Sequence, residues 1–451
     1  MEDTIAAIAT SLSKGAISII RVSGKEAIEK VNNLFKGKDL TKVETHTINY
    51  GYIVYNNEVI DEVLISIMRS PKTFTREDVV EINCHGGIAT TNKILELLLN
   101  SGVRLAEPGE FTKRAFINGR IDLVEAEAVM DLINGKTESA RRVAINQLEG
   151  KTSDYIRKFR QQLLELLASI EVNIDYPEYE DIEQITNEKI EKELISIKHH
   201  LKEIIRKSEN GKIIKNGIKT IIVGRPNVGK SSLLNCLLEE DKAIVTDIAG
   251  TTRDIVEGSV LLDGIMLNMI DTAGIRKTDD IVEKIGVEKS LSLLDEADLT
   301  LVVLNQNENL QDEDLEILEK TKNVASIVVL NKNDLVKKID MSYLDDRHVV
   351  YTNTKEQDGI DSLKMKIKEL FNLELIDQGD YNYLTNVRQI SLAKQAYEIL
   401  NDIEKGLEEE MPVDLIEIDI KRVWEKLGEI TGDTYSDELL DQLFSQFCLG
   451  K

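Results

Sequence analysis

The sequence predicts a multidomain protein that combines α+β and α/β architecture, with one α/β domain inserted between two halves of a helical domain. Three observations predict it. Short β-rich runs alternate with helical patterns over residues 1–118; long amphipathic patterns replace them over 119–215 and again over 376–451; between these, 216–375 returns to alternating strands and helices. A length of 451 residues suits two to four domains, and 42% apolar residues is enough to bury real cores.

Taken in order, "AISIIRV", "EVLISIM" and "DVVEINC" read as strands and "ATTNKILELLLN" as a helix, so the first domain is mixed α/β. Cys84 and His85 in "NCHGG" resemble a nucleophile pair, but adjacent residues on a strand point to opposite faces, and a strand end before a Gly-Gly turn accounts for them. Past residue 119, Ile156, Phe159, Leu163, Leu166 and Ile170 recur every three or four residues and form one helical stripe. Pro177 interrupts this stretch, because proline lacks the donor and disfavours helical dihedrals in the residue before it. "QISLAKQAYEILNDIEKGLEEE" and "IKRVWEKLGEI" are helical again, and the nearest cover for their stripes is the stripe of the earlier helices.

Charge and cysteine usage restrict the function. Asp+Glu 81 against Lys+Arg 56 leaves a formal charge of -25, which repels polyanions at long range, so any nucleic-acid contact must be local. Local basic clusters are Lys113, Arg114 and Arg120, or Arg141 and Arg142; each also reads as a solvated helix face. The N-terminus carries no signal-peptide pattern and no apolar run is long enough to span a bilayer, which points to the cytoplasm. Cys84, Cys236 and Cys448 are too far apart for a zinc motif, and their number and setting argue against disulfides.

The strongest signal is "KTIIVGRPNVGKSSLLNCLL", where Gly224-x-x-x-x-Gly229-Lys230-Ser231 follows an apolar strand and precedes a helix. The glycines let backbone N–H groups turn around phosphates, Lys230 neutralises β/γ oxygens, and the Ser231 hydroxyl is placed to ligate Mg²⁺. Downstream, "VLLDGIMLNMIDTAG" reads as a hairpin turning at Asp263-Gly264 that delivers Asp271 toward the metal, with Gly274 close to the γ-phosphate. "SIVVLNKND" ends a strand with Asn331, Lys332 and Asp334; the Asp334 carboxylate matches the paired N–H donors of guanine, which selects GTP. "DIAGTTRD" is a switch segment that presents Thr252 to Mg²⁺. Ile275 follows Gly274 with no glutamine nearby, so another group must orient the attacking water. Asp279, Asp280 and Glu283 are within reach in a mobile loop, and a solvated acidic loop is the alternative reading.

The segments "GRPNVGKSSLLN", "IVTDIAGTTRD", "DTAGIRKTDDIVEKIG" and "NKND", framed by "FTREDVVEINCHGG", "EPGEFTKRAFINGRIDLVEAEAV" and a terminal "FCLGK", resemble the MnmE (TrmE) family of tRNA modification GTPases over essentially the whole chain. The resemblance implies an N-terminal tetrahydrofolate-binding-like and dimerisation domain (1–118), a discontinuous helical domain (119–215 and 376–451) and an inserted Ras-like P-loop GTPase domain (216–375). It implies GTP contacts from Asn227, Val228, Gly229, Lys230, Ser231 and Ser232; from Thr246, Asp247, Ile248, Ala249, Gly250, Thr251 and Thr252; from Asp271, Thr272, Ala273 and Gly274; and from Asn331, Lys332 and Asp334. By the same resemblance K⁺ is held by Asn227, Thr246, Ile248 and Thr251, Mg²⁺ by Ser231 and Thr252, and Glu283 orients the water, with Lys230 as the other catalytic group of the nucleotide site. The loop that backs guanine is "NTK" here, Asn353 to Lys355, where many members carry an S-A-K-like sequence.

For the N-terminal domain the resemblance implies a folate, 5,10-methylenetetrahydrofolate or a relative, held by Arg21, Glu81, Arg120 and Lys451. A pterin presents the same 2-amino-4-oxo edge as guanine, which a carboxylate can accept from, and cations suit the glutamate tail. The tail with Cys448 folds back toward that site, and the cysteine is implicated in the modification. The implied activity is a K⁺-dependent GTP hydrolysis that drives C5 modification of the wobble uridine, adding an aminomethyl or carboxymethylaminomethyl group to certain tRNAs. The implied partners are a second copy of the chain and the FAD-containing MnmG in a heterotetramer. The alternative is a ribosome-assembly GTPase switch without one-carbon chemistry.

Overall fold

The computed structural model describes residues 3–175, 187–240, 258–270, 293–371, 373 and 384–450. The chain begins with β1 (Ile5–Ile8), β2 (Ile17–Ser23), α1 (Ala27–Asn32), β3 (Phe35–Gly37), β4 (Thr47–Tyr55), β5 (Glu58–Met68), β6 (Val79–His85), α2 (Ile88–Asn100) and β7 (Arg104–Leu105). Helices follow: α3 (Glu110–Ile117), α4 (Leu123–Asn134), α5 (Glu138–Leu148), α6 (Lys151–Asp175) and α7 (Asn187–Asn216). Then come β8 (Ile218–Val223), α8 (Lys230–Glu240), β9 (Gly258–Leu262), β10 (Ile265–Met269), β11 (Leu299–Asn305), α9 (Asp312–Lys320), β12 (Ser326–Asn331), β13 (His348–Tyr351) and α10 (Ile360–Leu370). The described part closes with α11 (Val387–Glu408), α12 (Val413–Thr431) and α13 (Asp437–Phe444).

Contacts divide the chain into two compact units, one of Met1–Met130, Leu148–Ile185 and Ile399–Lys451, the other of Asp131–Gln147 and Thr186–Glu398. In the first, a seven-stranded sheet of order β3-β4-β5-β6-β2-β1-β7 is antiparallel except for the β1–β7 pair. Ile20, Val22, Val80 and Ile82 turn to the helix-covered side with Ile94 and Leu98, as alternation along a half-covered strand requires. On the opposite side Arg21 faces Glu81 across the β2–β6 pair, and Leu64 faces both Tyr50 and Asn83. Cys84 is buried and His85 exposed, as neighbours on a strand should be. Burial pushes the Cys84 thiol up, which keeps it protonated, while the Asp61 carboxylate bonded to His85 raises the imidazole pKa.

The amphipathic stripe on α6 buries Ile156, Phe159, Leu163, Leu166 and Ile170 and packs against α12, which buries Ile416, Ile420, Val423 and Leu427. Arg160 closes this pair, its guanidinium 4.2 Å above the Trp424 ring and bonded to Asp433. The stripe of α7 is in the second unit, where its C-terminal end meets β10 and the Asn216 carbonyl accepts from Asn268 at 2.7 Å.

The second unit is built on a six-stranded sheet of order β13-β12-β11-β8-β10-β9, parallel except at the β9–β10 hairpin. Ile218 and Ile222 of β8 enter one core and Ile221 and Val223 the other, so the strands read as continuous apolar runs because both faces are covered. The hairpin turns at Asp263 and Gly264, whose φ values of 48° and 82° are those of a type I′ turn. Among the described residues no helix is long and apolar enough to cross a membrane.

Candidate functional site

The second unit places the loop at 224–231, the candidate phosphate cradle, at the C-terminal ends of its parallel strands. β8 ends at Val223, and residues 224–229 loop into the first turn of α8, so the helix start faces the cradle. A Cβ at Gly224 would meet the Val303 carbonyl at 2.4 Å and one at Gly229 would meet the Asn331 amide at 2.0 Å, so only glycine fits either position. Asn227 adopts φ 63° at the exposed crest of the loop. The Lys230 ammonium donates to the carbonyls of Gly224 at 2.9 Å and Arg225 at 2.8 Å, which holds it along the cradle. Val228 is buried beneath the loop, and Ser231 and Ser232 are exposed on the first turn of α8.

The base end joins this cradle through side chains of the "NKND" segment. Asn331 donates from Nδ2 to the Val228 carbonyl at 3.0 Å, while its Oδ1 accepts from the Thr354 N–H at 3.3 Å. Lys332, with φ 64°, reaches back to the Asn227 carbonyl at 3.2 Å. Asp334 is exposed just beyond β12. The hairpin carries the chain to Ile270, which donates to the Thr220 carbonyl at 2.9 Å, one residue before Asp271. Asp271 itself, Thr272, Ala273, Gly274, Glu283 and the switch residues Thr246, Asp247, Ile248, Ala249, Gly250, Thr251 and Thr252 lie outside the described residues, as does Lys451.

Sequence reasoning missed one group at this cradle. The buried Arg225 guanidinium donates to Asp314 Oδ2 at 2.7 Å and Glu308 Oε2 at 3.1 Å, tying the loop to the N-terminus of α9. Burial works against the charge on Arg225, but its bonds to Asp314 and Glu308 outweigh burial and raise the pKa. Nothing local flags this pair, since its members are 89 residues apart.

The first unit holds a second cluster, on the open side of its sheet. Arg21 Nε lies 2.9 Å from Glu81 Oε1, and Arg21 NH1 donates to the Gly450 carbonyl at 3.1 Å. Arg21 sits 5.7 Å over the Phe111 ring and Arg120 sits 5.3 Å over Phe74, and both rings belong to the apolar cluster of Ile5, Ala7 and Ala106. The tail reaches this place because Phe444 and Phe447 insert among Phe116, Leu123 and Leu440, while the Gly109 N–H bonds the Cys448 carbonyl at 3.3 Å. Gly450 lies so close to β1 that a Cβ would meet the Ile8 carbonyl at 2.5 Å. Cys448 stays exposed.

Lys113, Arg114 and Arg120 do not form one basic surface for RNA. Arg114 is 1% exposed and enclosed by Glu110, Glu77 and Asp3; Lys113 bridges Asp441; and Arg120 donates to the Thr73 carbonyl. Arg114 neutralises carboxylates inside the unit and offers no surface to tRNA, whereas Lys113 pairs with an exposed carboxylate and Arg120 is itself exposed. Arg141 and Arg142 are exposed and both pair with Glu138.

Residues 4–120 match the family model for the GTP-binding protein TrmE N-terminus and residues 123–448 that for the MnmE helical domain. The chain is 55% identical over 455 residues to the tRNA modification GTPase MnmE of Bacillus cytotoxicus, covering 100% of this chain and 99% of that protein. It is equally 55% identical to the protein of that name from Bacillus mycoides, with 100% and 99% covered. Among solved structures, the G domain of the T. maritima FeoB iron transporter aligns with 34% of this chain and 98% of that one, at 30% identity and a TM-score of 0.25. With both family models matched in order and more than half of all residues shared along the full length, the chain belongs to the MnmE family of tRNA modification GTPases.

Proposed function

We propose that this protein is a K⁺-dependent GTP hydrolase that modifies the wobble uridine of certain tRNAs at C5, together with the flavoprotein MnmG and a one-carbon tetrahydrofolate. The observation that carries the reading is the meeting of Arg21, Glu81 and the C-terminal tail, since a GTP switch alone has no use for a second polar cradle. In that cradle Glu81 would accept from the pterin edge, and Arg21, Arg120 and Lys451 would meet the carboxylates of the glutamate tail. The Arg21–Glu81 pair fits a ligand of this kind, because both charges are half-exposed and already opposed, so neither must be desolvated alone. The folate would supply the one-carbon unit. Cys448, two residues before Gly450, would offer it an exposed thiol.

At the nucleotide end, Lys230 would neutralise β/γ oxygens, Ser231 with Thr252 would hold Mg²⁺, and Glu283 would orient the water. Asn227, with Thr246, Ile248 and Thr251, would hold K⁺, and the exposed side chain of Asn227 on the crest of the loop suits that role. K⁺ would supply the positive charge that an arginine finger supplies elsewhere. GTP turnover is therefore expected to rise about tenfold or more when Na⁺ is replaced by K⁺ at constant ionic strength, about 1.4 kcal/mol in the barrier. Equal rates in the two salts would remove K⁺ from the account.

A second copy of the chain would cover the open side of the N-terminal sheet, where Ile48, Tyr50 and Leu64 are 69%, 57% and 46% exposed beside the Arg21–Glu81 pair. The test of the whole reading is nucleoside analysis of tRNA from cells with the parent gene, a deletion, or Arg21→Ala. Deletion should leave the wobble uridine bare, and Arg21→Ala should do the same while the purified variant keeps its GTP turnover. A deletion strain with a normal wobble nucleoside profile would reject the assignment.

A further inference from the structure

Residues 352–355, just beyond β13, are held by side chains from two directions. Asn331 at the end of β12 accepts from the Thr354 N–H at 3.3 Å and from the Thr352 hydroxyl at 3.4 Å. From the other side the Cys236 thiol donates to the Thr354 carbonyl at 3.0 Å. The N–H and the carbonyl of one residue, on its two flanking peptides, are thus fixed by different elements. Cys236 is buried on α8, six residues after Lys230, so the helix whose start faces the phosphates also fixes the height of the loop at the base end. The thiol lines a cavity of about 450 Å³ with Ser232, Asn235, Thr354, Lys355 and Gln357, and the loop is closed besides by the Asn353–Asp358 backbone pair and by Asn353 Oδ1, which accepts from the Lys355 N–H at 3.1 Å.

We propose that Cys236 is a positioning residue for recognition of the base. Its thiol and the Asn331 amide together fix the backbone of Thr354 at a set distance from the phosphate cradle, and so set the affinity for guanine nucleotides without touching them. The inference rests on the reading of the bound nucleotide as GTP. It also accounts for how "NTK" serves where S-A-K-like sequences are common: the Thr354 backbone is held from α8 and β12, whatever side chain stands at 354.

The experiment compares the full-length parent, Cys236→Ala and Cys236→Ser for binding of GDP, ADP and inorganic pyrophosphate by calorimetry, with KM and kcat for GTP alongside. Preference of the parent for GDP over ADP tests the guanine reading by itself; equal affinities would end that reading, whatever the variants do. Given that preference, Cys236→Ala should weaken GDP about fivefold, the effect of one ordinary hydrogen bond. Pyrophosphate should stay within about twofold, KM should rise more than kcat changes, and serine, a donor of nearly the same shape, should restore most of the loss. Parental GDP affinity in the alanine variant would overturn the proposal. So would a proportionate loss of GDP and pyrophosphate, which marks a general structural role, or a serine variant no better than alanine.

Discussion

Lys230→Ala is expected to lower the single-turnover rate of GTP hydrolysis by about 10²–10³-fold at saturating nucleotide, about 2.7–4 kcal/mol of transition-state stabilisation. The size follows from preorganisation. Two loop carbonyls, of Gly224 at 2.9 Å and Arg225 at 2.8 Å, already hold the ammonium, and Arg225 is itself locked to Asp314, so the cation is in place before charge develops on the leaving group. The charge that K⁺ would deliver near Asn227 would not replace it, because Asn227 is exposed in the loop three residues before Lys230. Lys230→Arg should recover little: a planar fork replaces a compact ammonium that fits between two convergent carbonyls. Single-turnover rates measured beside nucleotide dissociation constants separate lost chemistry from lost binding. Turnover of Lys230→Ala within about threefold of the parent would show that this cradle is not where the phosphate is cleaved.

What the sequence made legible depended on how far apart the cooperating residues are. The P-loop, the Asp263-Gly264 turn and the Asn331-Lys332-x-Asp334 segment could be read because each is a contiguous pattern whose spacing is dictated by backbone geometry. The α6 stripe was readable for the same reason, and so was its cover by α12, since apolar stripes seek each other. The Arg225–Asp314 tie, across 89 residues, left no local trace, and the Arg21–Gly450 contact, across 429, ends on a carbonyl that any residue supplies. Which helix covers which stripe is a choice of partner that periodicity alone does not make: α6 packs on α12, while Lys198 of α7 lies 5.8 Å from the Tyr397 ring of α11 and its C-terminal end meets β10. Arg114 was misread for a related reason. "KR" on a short helix looks like a polyanion contact, although Glu110 four residues earlier already offered a partner.

That misreading leads to the second large effect, which falls on stability. Arg114→Met is expected to destabilise the first unit by about 3–5 kcal/mol, the range for removing one member of a buried ionic cluster. The guanidinium bonds Glu110 at 2.9 Å, Asp3 Oδ1 at 2.8 Å, the Asp3 carbonyl at 2.8 Å and Glu77 at 3.1 Å. Methionine fills a similar volume but satisfies none of these acceptors. Glu110, itself 2% exposed, would keep only Arg104 and the Glu107 N–H, and Glu77 would keep only the Ser23 hydroxyl. The acid limb of the stability curve carries a separate signature. Burial pushes the Glu110 carboxyl up, but its bonds to Arg104, the Glu107 N–H and Arg114 more than offset this and leave it below the ordinary value of 4.5. A depressed carboxylate stabilises the fold fully above about pH 4.5, its unfolded value, and that stabilisation is lost as pH falls through the folded value. Without Arg114 the folded value rises, so the midpoint of acid unfolding should move to higher pH as well as the melting temperature falling at neutral pH. Arg114→Lys should recover only part of the loss, since one ammonium cannot reach three separated carboxylates. A methionine variant that melts like the parent at neutral pH and keeps its acid midpoint would mean the cluster is no net support to the fold. Buried carboxylates and arginines would then be neutral here, as well-packed apolar replacements of ionic clusters sometimes are.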